Sequence, residues 1–269
     1  MNFALYRAML KQQSKKILGF ALGSSTFLLM ETFLYPSIEE AMKAKMDIFE
    51  TLPDGMLAAF GLDKGFAISS VLDLFSVQYY SLIFLVLLSL FTVSMANQLL
   101  SHFVEQGSMA YLLSIPVNRK QITFTMISVF FTGLLVIMVC NFLFPYVGSY
   151  LNNVELDWKS LFQLNLLGFL LFFAIGGYSF FFSALFLNGH RVLAWAGGLT
   201  LIFYILDMIG KVNQQWEDLR YGSIFTLFQP TEIITGDVEL YSASLILFSL
   251  GIIGYFLTIA IFQRKDLPL

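Results

Sequence analysis

The sequence predicts an all-α integral membrane protein with six transmembrane helices. Three observations carry that expectation: 58% of the 269 residues are hydrophobic, only 12% are charged, and the apolar residues gather in six solid runs. Soluble domains hold about 25% charged and about 45–50% apolar residues, so a globular fold of this length could not cover its surface with polar groups. Thirty Phe and twelve Tyr point the same way, because aromatic rings pack in lipid and collect at its interfaces.

Spanning about 30 Å of hydrocarbon takes about 20 mostly apolar residues at about 1.5 Å of rise each. Runs that meet this requirement are 17–35, 72–100, 122–147, 161–187, 192–209 and 242–262, so a single transmembrane domain fills residues 1–269. The runs are unbroken instead of alternating, which excludes the spans of a β-barrel. The first run is too long for the apolar core of a signal peptide, contains Glu31, and lacks a small-residue cleavage site at its end, so it is expected to be retained.

Orientation follows from Lys and Arg in the connections. With the N-terminus cytoplasmic, the inner segments hold nine basic residues against two acidic ones, a net of +7. The outer segments, with Asp73 at the edge of the second span, hold six basic residues against fourteen acidic ones, a net of −8. Glu31 and Asp207, near outer helix ends, complete the net of −3. Both termini are therefore expected to be cytoplasmic, in a multi-pass protein of the cell membrane.

Residues 1–16 read as an interfacial helix on the cytoplasmic leaflet. Phe3, Tyr6, Met9, Leu10 and Ile17 fall on one side of a helical wheel. Arg7, Lys11 and Lys15 recur every four residues on another, where they reach anionic lipid headgroups. In the first outer connection, Ile38, Met42, Phe49 and Leu52 recur at helical spacing among charged residues. They predict a short amphipathic helix on the outer surface, ending at Pro53-Asp54-Gly55.

Patterns that carry chemistry are mostly absent from the chain. A nucleotide site would need a glycine-rich phosphate loop with its Lys and Ser/Thr, and none occurs. No metalloprotease, nucleophile-elbow or Cys-x-x-Cys pattern is present, and His102 and His190 sit in different connections. No enzymatic activity, resident metal or cofactor is expected in this chain, and no nucleic-acid partner. Cys140, the lone cysteine, reads as a small core residue facing a neighbouring helix. Glu31 and Asp207 are expected to snorkel to water from a turn or two inside the outer membrane face. Asn97 and Gln98 are expected to hydrogen-bond between helices, and Gly176-Gly177 and Gly197-Gly198 to permit close helix approach.

The segment Phe103–Gln121 reads F-V-E-Q-G-S-M-A-Y-L-L-S-I-P-V-N-R-K-Q. It resembles the connection between the second and third spans of ABC-2 type exporter permeases. Glu105, Gly107, Ser108, Leu112, Leu113, Ser114, Pro116, Val117 and Arg119 occupy the matching positions. Met109, Ala110 and Asn118 depart from the pattern, which weakens inference about individual polar contacts. The ending Phe262-Gln263-Arg264-Lys265-Asp266-Leu267 also looks like the family's last span.

The resemblance implies a permease subunit of an ATP-driven exporter. A separate cytoplasmic ABC ATPase would bind ATP and Mg²⁺, and a second permease, identical or related, would complete the path. It also implies a short cytoplasmic coupling helix between spans two and three, with Glu105, Gly107, Ser108, Tyr111, Leu112, Ile115, Pro116 and Arg119 contacting the ATPase. Read physically, Gly107 and Ser108 can begin that helix and Pro116 disfavours its continuation past Ile115. Tyr111, Leu112 and Ile115 give it an apolar face, for a partner protein or for the chain's own helix ends. Aromatic spans with few fixed charges suit an amphipathic or apolar substrate such as a peptide, a lipid-like molecule or a drug. An ATP-independent carrier and a non-transporting scaffold or sensor subunit are the alternatives.

Overall fold

The computed structural model describes residues 2–43, 70–107, 117–212, 214–236 and 239–265. No strand occurs among them, and six helices are long and apolar enough to cross a membrane. These are α1 (Phe3–Lys43), α2 (Val71–Glu105), α3 (Arg119–Asn152), α4 (Trp158–Phe186), α5 (Gly189–Val212) and α6 (Leu240–Arg264). The protein is an all-α, multi-pass bundle. One end gathers Arg7, Lys11, Lys15, Arg119, Arg191 and Arg264, and is called the basic end below; the opposite, acidic end carries Glu155, Asp157 and Glu217.

The start of α1 departs from expectation. Residues 3–16 are not a separate interfacial element but the first turns of one helix of 41 residues, which continues through Pro36 to Lys43. At about 1.5 Å per residue that helix is about 62 Å long, twice the hydrocarbon thickness, so it projects from the membrane. Ile38 and Met42 accordingly belong to α1, and the rest of the amphipathic segment expected around Phe49 and Leu52 lies outside the described residues.

Contacts with α3 show how α1 runs. Ile17 packs where a side chain on Gly133 would stand, and Thr32 where one on Gly148 would stand. Fifteen residues of α1 thus match fifteen of α3, and the two helices run parallel and in register. Toward the N-terminus the match fails. Asn2 donates its main-chain N–H to Thr125 Oγ1 at 3.3 Å, so fifteen residues of α1, about 22 Å, face only eight of α3, about 12 Å. The first turns therefore cross α3 obliquely. Arg7, Lys11 and Lys15 stay exposed there, while Met9, Gln13 and Ile17 are buried on the opposite side.

The most extensive pairings are α1 with α3 and α4 with α6. In the second pair a Cβ on Gly254 would fall 2.5 Å from the Gly177 carbonyl carbon, and one on Gly177 would fall 2.8 Å from the Gly251 carbonyl oxygen. Backbones this close allow no side chain between them, which is the role expected for Gly176-Gly177. Gly197 and Gly198 differ: a Cβ at either would meet nothing within 4 Å, so they permit no close approach.

α2 is the hub, touching α1, α3, α4 and α5. Its helix is not uniform, because Phe75–Ile83 and Asn97–Ser101 have π-helical hydrogen bonding. Within the first of these stretches Tyr79 and Tyr80 are both fully buried, Tyr79 bonded to α1 and α3 and Tyr80 to α4. The α3–α4 connection is short. Asp157 caps α4, accepting from Ser160 Oγ at 2.6 Å and from the Lys159 N–H at 3.0 Å. The Ser160 hydroxyl, followed by the Lys159 amide, holds this carboxyl below the ordinary carboxylate range.

Candidate functional site

At the basic end, the structure places three of the sequence-predicted coupling residues and ties two of them into the bundle. Glu105 closes α2, where its carboxylate accepts from the Gly189 N–H at 3.2 Å and from Asn188 Nδ2 at 3.3 Å. A carboxylate at the first turn of α5 satisfies donors that a helix start leaves free. Arg119 opens α3 and donates from Nη1 to the Lys265 carbonyl at 2.7 Å, at the end of α6. Lys265 Nζ in turn donates to the Leu185 carbonyl in the last turn of α4. Lys16 on α1 donates to Gln98 Oε1 on α2 at 3.0 Å. Gln98 thus bonds between helices as expected, whereas Asn97 accepts from Ser101 Oγ within its own helix.

Gly107 does not begin a helix as the sequence suggests. Its φ of 70° is left-handed, and its N–H donates to the Val104 carbonyl at 3.0 Å. It therefore terminates α2, the position glycine favours because it lacks a Cβ. Ser108, Tyr111, Leu112, Ile115 and Pro116, with the helix expected to carry them, lie outside the described residues.

A second constellation fills the acidic half of the bundle, where α1, α2 and α3 meet. Asn141 Nδ2 donates to the Tyr79 hydroxyl at 3.0 Å, and Ser24 Oγ donates to Asn141 Oδ1 at 2.7 Å. Ser24 and Tyr79 are also hydrogen-bonded to each other. With the Ser24 proton already committed to Asn141, Tyr79 must be the donor in that pair, so the three groups form a closed ring. Beside it, Asn165 Nδ2 on α4 donates to the Tyr80 hydroxyl at 3.1 Å. All five side chains are buried.

Two prolines add main-chain oxygens to the same region. Pro36 and Pro145 have no N–H, so the carbonyls four residues earlier lose their helical partner. Those residues are Thr32 and Asn141, and both are fully buried.

Glu31 lies in this region at 2% exposure, and it does not snorkel. Neither of its carboxylate oxygens has a hydrogen-bond partner, and no basic side chain pairs with it among the described residues. It lies close to both Tyr79 and Tyr80. Asp207 is buried too, at 3%, but it is fully engaged. Lys211 Nζ lies 2.7 Å away and Arg220 Nε 3.6 Å, while Thr226 and Gln229 each donate at 3.3 Å. Asp207 thus fastens the helical segment Gln214–Gly222 onto α5. Expected to snorkel, both carboxylates are instead buried, Asp207 beneath the segment that carries Arg220, Thr226 and Gln229.

A groove of about 420 Å³ runs between α2 and α5, walled by Leu85, Val93, Leu193, Thr200, Tyr204 and Phe225. Its lining is almost wholly apolar. Cys140 on α3 is partly buried, with no partner for a disulfide in the sequence. No group of three or more metal-binding side chains occurs among the described residues.

The sequence contained one signal for the acidic-half cluster. A polar residue stands four before a proline inside an apolar run twice, at Thr32 with Pro36 and at Asn141 with Pro145. Tyr79 and Tyr80 carried no comparable signal, because an ordinary helix turns adjacent residues about 100° apart. No protein-family model matches the chain, and no curated protein matches it significantly.

Proposed function

We propose that the chain is the permease subunit of an ATP-driven exporter of the ABC-2 type. It sits in the cell membrane with both termini cytoplasmic, a reading that the basic-end charge excess supports. The reading rests on the resemblance of Phe103–Gln121, and one structural observation supports it. The two ends of that segment are clamped to different helices, Glu105 to the start of α5 and Arg119 to the end of α6. Lys265 extends the second clamp to α4. A force applied between residues 107 and 118 would reach α2, α3, α4, α5 and α6 together, which is what a coupling element has to do.

Because the chain has no phosphate-binding loop, a cytoplasmic ABC ATPase supplies ATP and Mg²⁺ binding. A second permease copy or a related chain completes the translocation path. The apolar groove between α2 and α5 suits an amphipathic or apolar substrate entering from the bilayer. The chain itself is not an enzyme in this reading.

The test is purification of the tagged chain from its native membrane. An ABC ATPase should co-purify, and hydrolysis should depend on that partner. ATP turnover by the purified chain alone, or native preparations free of any ATPase, would overturn the proposal. A second reading, an ATP-independent carrier, draws on the unpaired buried carboxyl of Glu31, and transport by the lone chain in liposomes without ATP would establish it.

A further inference from the structure

No polar group around Glu31 bonds to its carboxyl. Tyr79, Ser24 and Asn141 bond to one another in a closed ring. Tyr80 accepts from Asn165, and Thr32 Oγ1 donates to the Leu28 carbonyl at 2.8 Å. Aromatic rings close the space behind them, with Phe27 stacked on Tyr79 and Phe84 packed against Tyr79 and Tyr80. Glu31 is left at 2% exposure with two unsatisfied oxygens. An ionised carboxylate without a counter-charge is costly in such surroundings, and the group avoids that cost by carrying a proton.

Among the described residues, the other titratable groups facing it offer no substitute cation. On α1 there is Tyr35, and on α2 Asp73, Tyr79 and Tyr80, all buried. On α3 there are Cys140, partly buried, and Tyr146 and Tyr150, which are exposed. None of these becomes positive, and Lys211 and Arg220 on α5 and its following segment are bound to Asp207.

The helices around the carboxyl are also irregular. Pro36 and Pro145 each remove a main-chain hydrogen bond beside it, and the π-helical stretch of α2 lies opposite. Such irregular backbone at membrane depth marks places where a bundle can change shape.

We propose that Glu31 is a proton-binding site of the bundle, protonated while the acidic halves of α1, α2 and α3 are closed, and releasing its proton to water when they part. One proton leaves the carboxylic acid for a water molecule, and the resulting carboxylate gains the hydration that the closed bundle denies it. The inference does not rest on the ATPase reading, because every group it uses belongs to this chain.

Infrared spectroscopy of the full chain, reconstituted in liposomes, tests it. At neutral pH the wild type should show the carbonyl stretch of a protonated carboxyl that Glu31→Gln lacks. Raising the pH should remove that band before the protein unfolds. Over the same range a Ser149→Cys reporter in a Cys140→Ala background should react with a water-soluble thiol reagent about tenfold faster. The comparison is with the same reporter in Glu31→Gln, which corrects for thiol ionisation. Should Glu31→Gln not fold, ¹³C-glutamate labelling assigns the band, since the label shifts it in wild type but not in Glu31→Asp. No Glu31-dependent band at neutral pH would overturn the proposal. A band that persists to unfolding, or that vanishes with no change at Ser149→Cys, would do so equally.

Discussion

The side-chain amide of Asn141 on α3 donates a 3.0 Å hydrogen bond to the hydroxyl of Tyr79 on α2, and neither residue is exposed. Ser24 of α1 closes the ring, so three helices are joined by groups that all find partners within it. In an apolar interior the alternative to such a partner is an unsatisfied polar group, which makes the ring sensitive to the loss of one member.

Asn141→Leu removes a donor to Tyr79 and the acceptor of Ser24, and should destabilise the bundle by about 1–3 kcal/mol. Tyr79→Phe leaves Ser24 bonded to Asn141 and should lose less, nearer the roughly 0.6 kcal/mol typical of one interhelical bond in membranes. Thermal unfolding in detergent measures both. Equal losses would show that the ring does not act through Asn141.

The crossing of α4 and α6 is predicted to be the least tolerant part of the bundle. Gly254→Ala puts a methyl group 2.5 Å from the Gly177 carbonyl carbon. It must force the helices apart, at a loss of about 1–3 kcal/mol. Gly197→Ala, with nothing within 4 Å, should be neutral or slightly stabilising, since alanine favours the helix. A melting-temperature difference between the two variants checks this in one experiment.

Topology can be mapped with single cysteines in a Cys140→Ala background. An impermeant thiol reagent added to intact cells should label Lys159→Cys and Glu217→Cys at the acidic end. Lys265→Cys should react only after the membrane is opened. The reverse pattern would place the basic end outside and remove the ATPase from reach.

If the segment after Gly107 couples to an ATPase, its apolar residues carry the contact. Truncating a buried interface anchor removes roughly 2 kcal/mol or more. Tyr111→Ala with Leu112→Ala should then weaken association about a hundredfold, taking tenfold as about 1.4 kcal/mol. Titration of the purified double variant with the partner ATPase reads this directly, with thermal stability measured alongside. A helix serving only its own bundle would give the opposite result, poor stability and unchanged affinity.

How far the fold was legible depends on what each signal measures. Span number and rough position follow from length and hydropathy, local properties that lipid enforces on any helix crossing it. The anchoring of Glu105 and Arg119 was half visible: both were singled out, yet their partners Gly189 and Lys265 lie 84 and 146 residues away. Gly107 is visible in the sequence as a break, but glycine suits either end of a helix, and only its φ of 70° shows that α2 ends there.

Composition and charge distribution, then, by themselves determined that this is an all-α protein of six apolar spans with one basic and one acidic end. Only the tertiary structure decided that Glu31 and Asp207 are enclosed, that α1 crosses α3 obliquely before joining it in register, and that Tyr79 and Tyr80 are both buried, against different helices. The reason is physical. In water an apolar stripe marks the buried face of a helix, but lipid is as apolar as a protein core. A membrane helix therefore carries little record of which way it faces until its neighbours are in place.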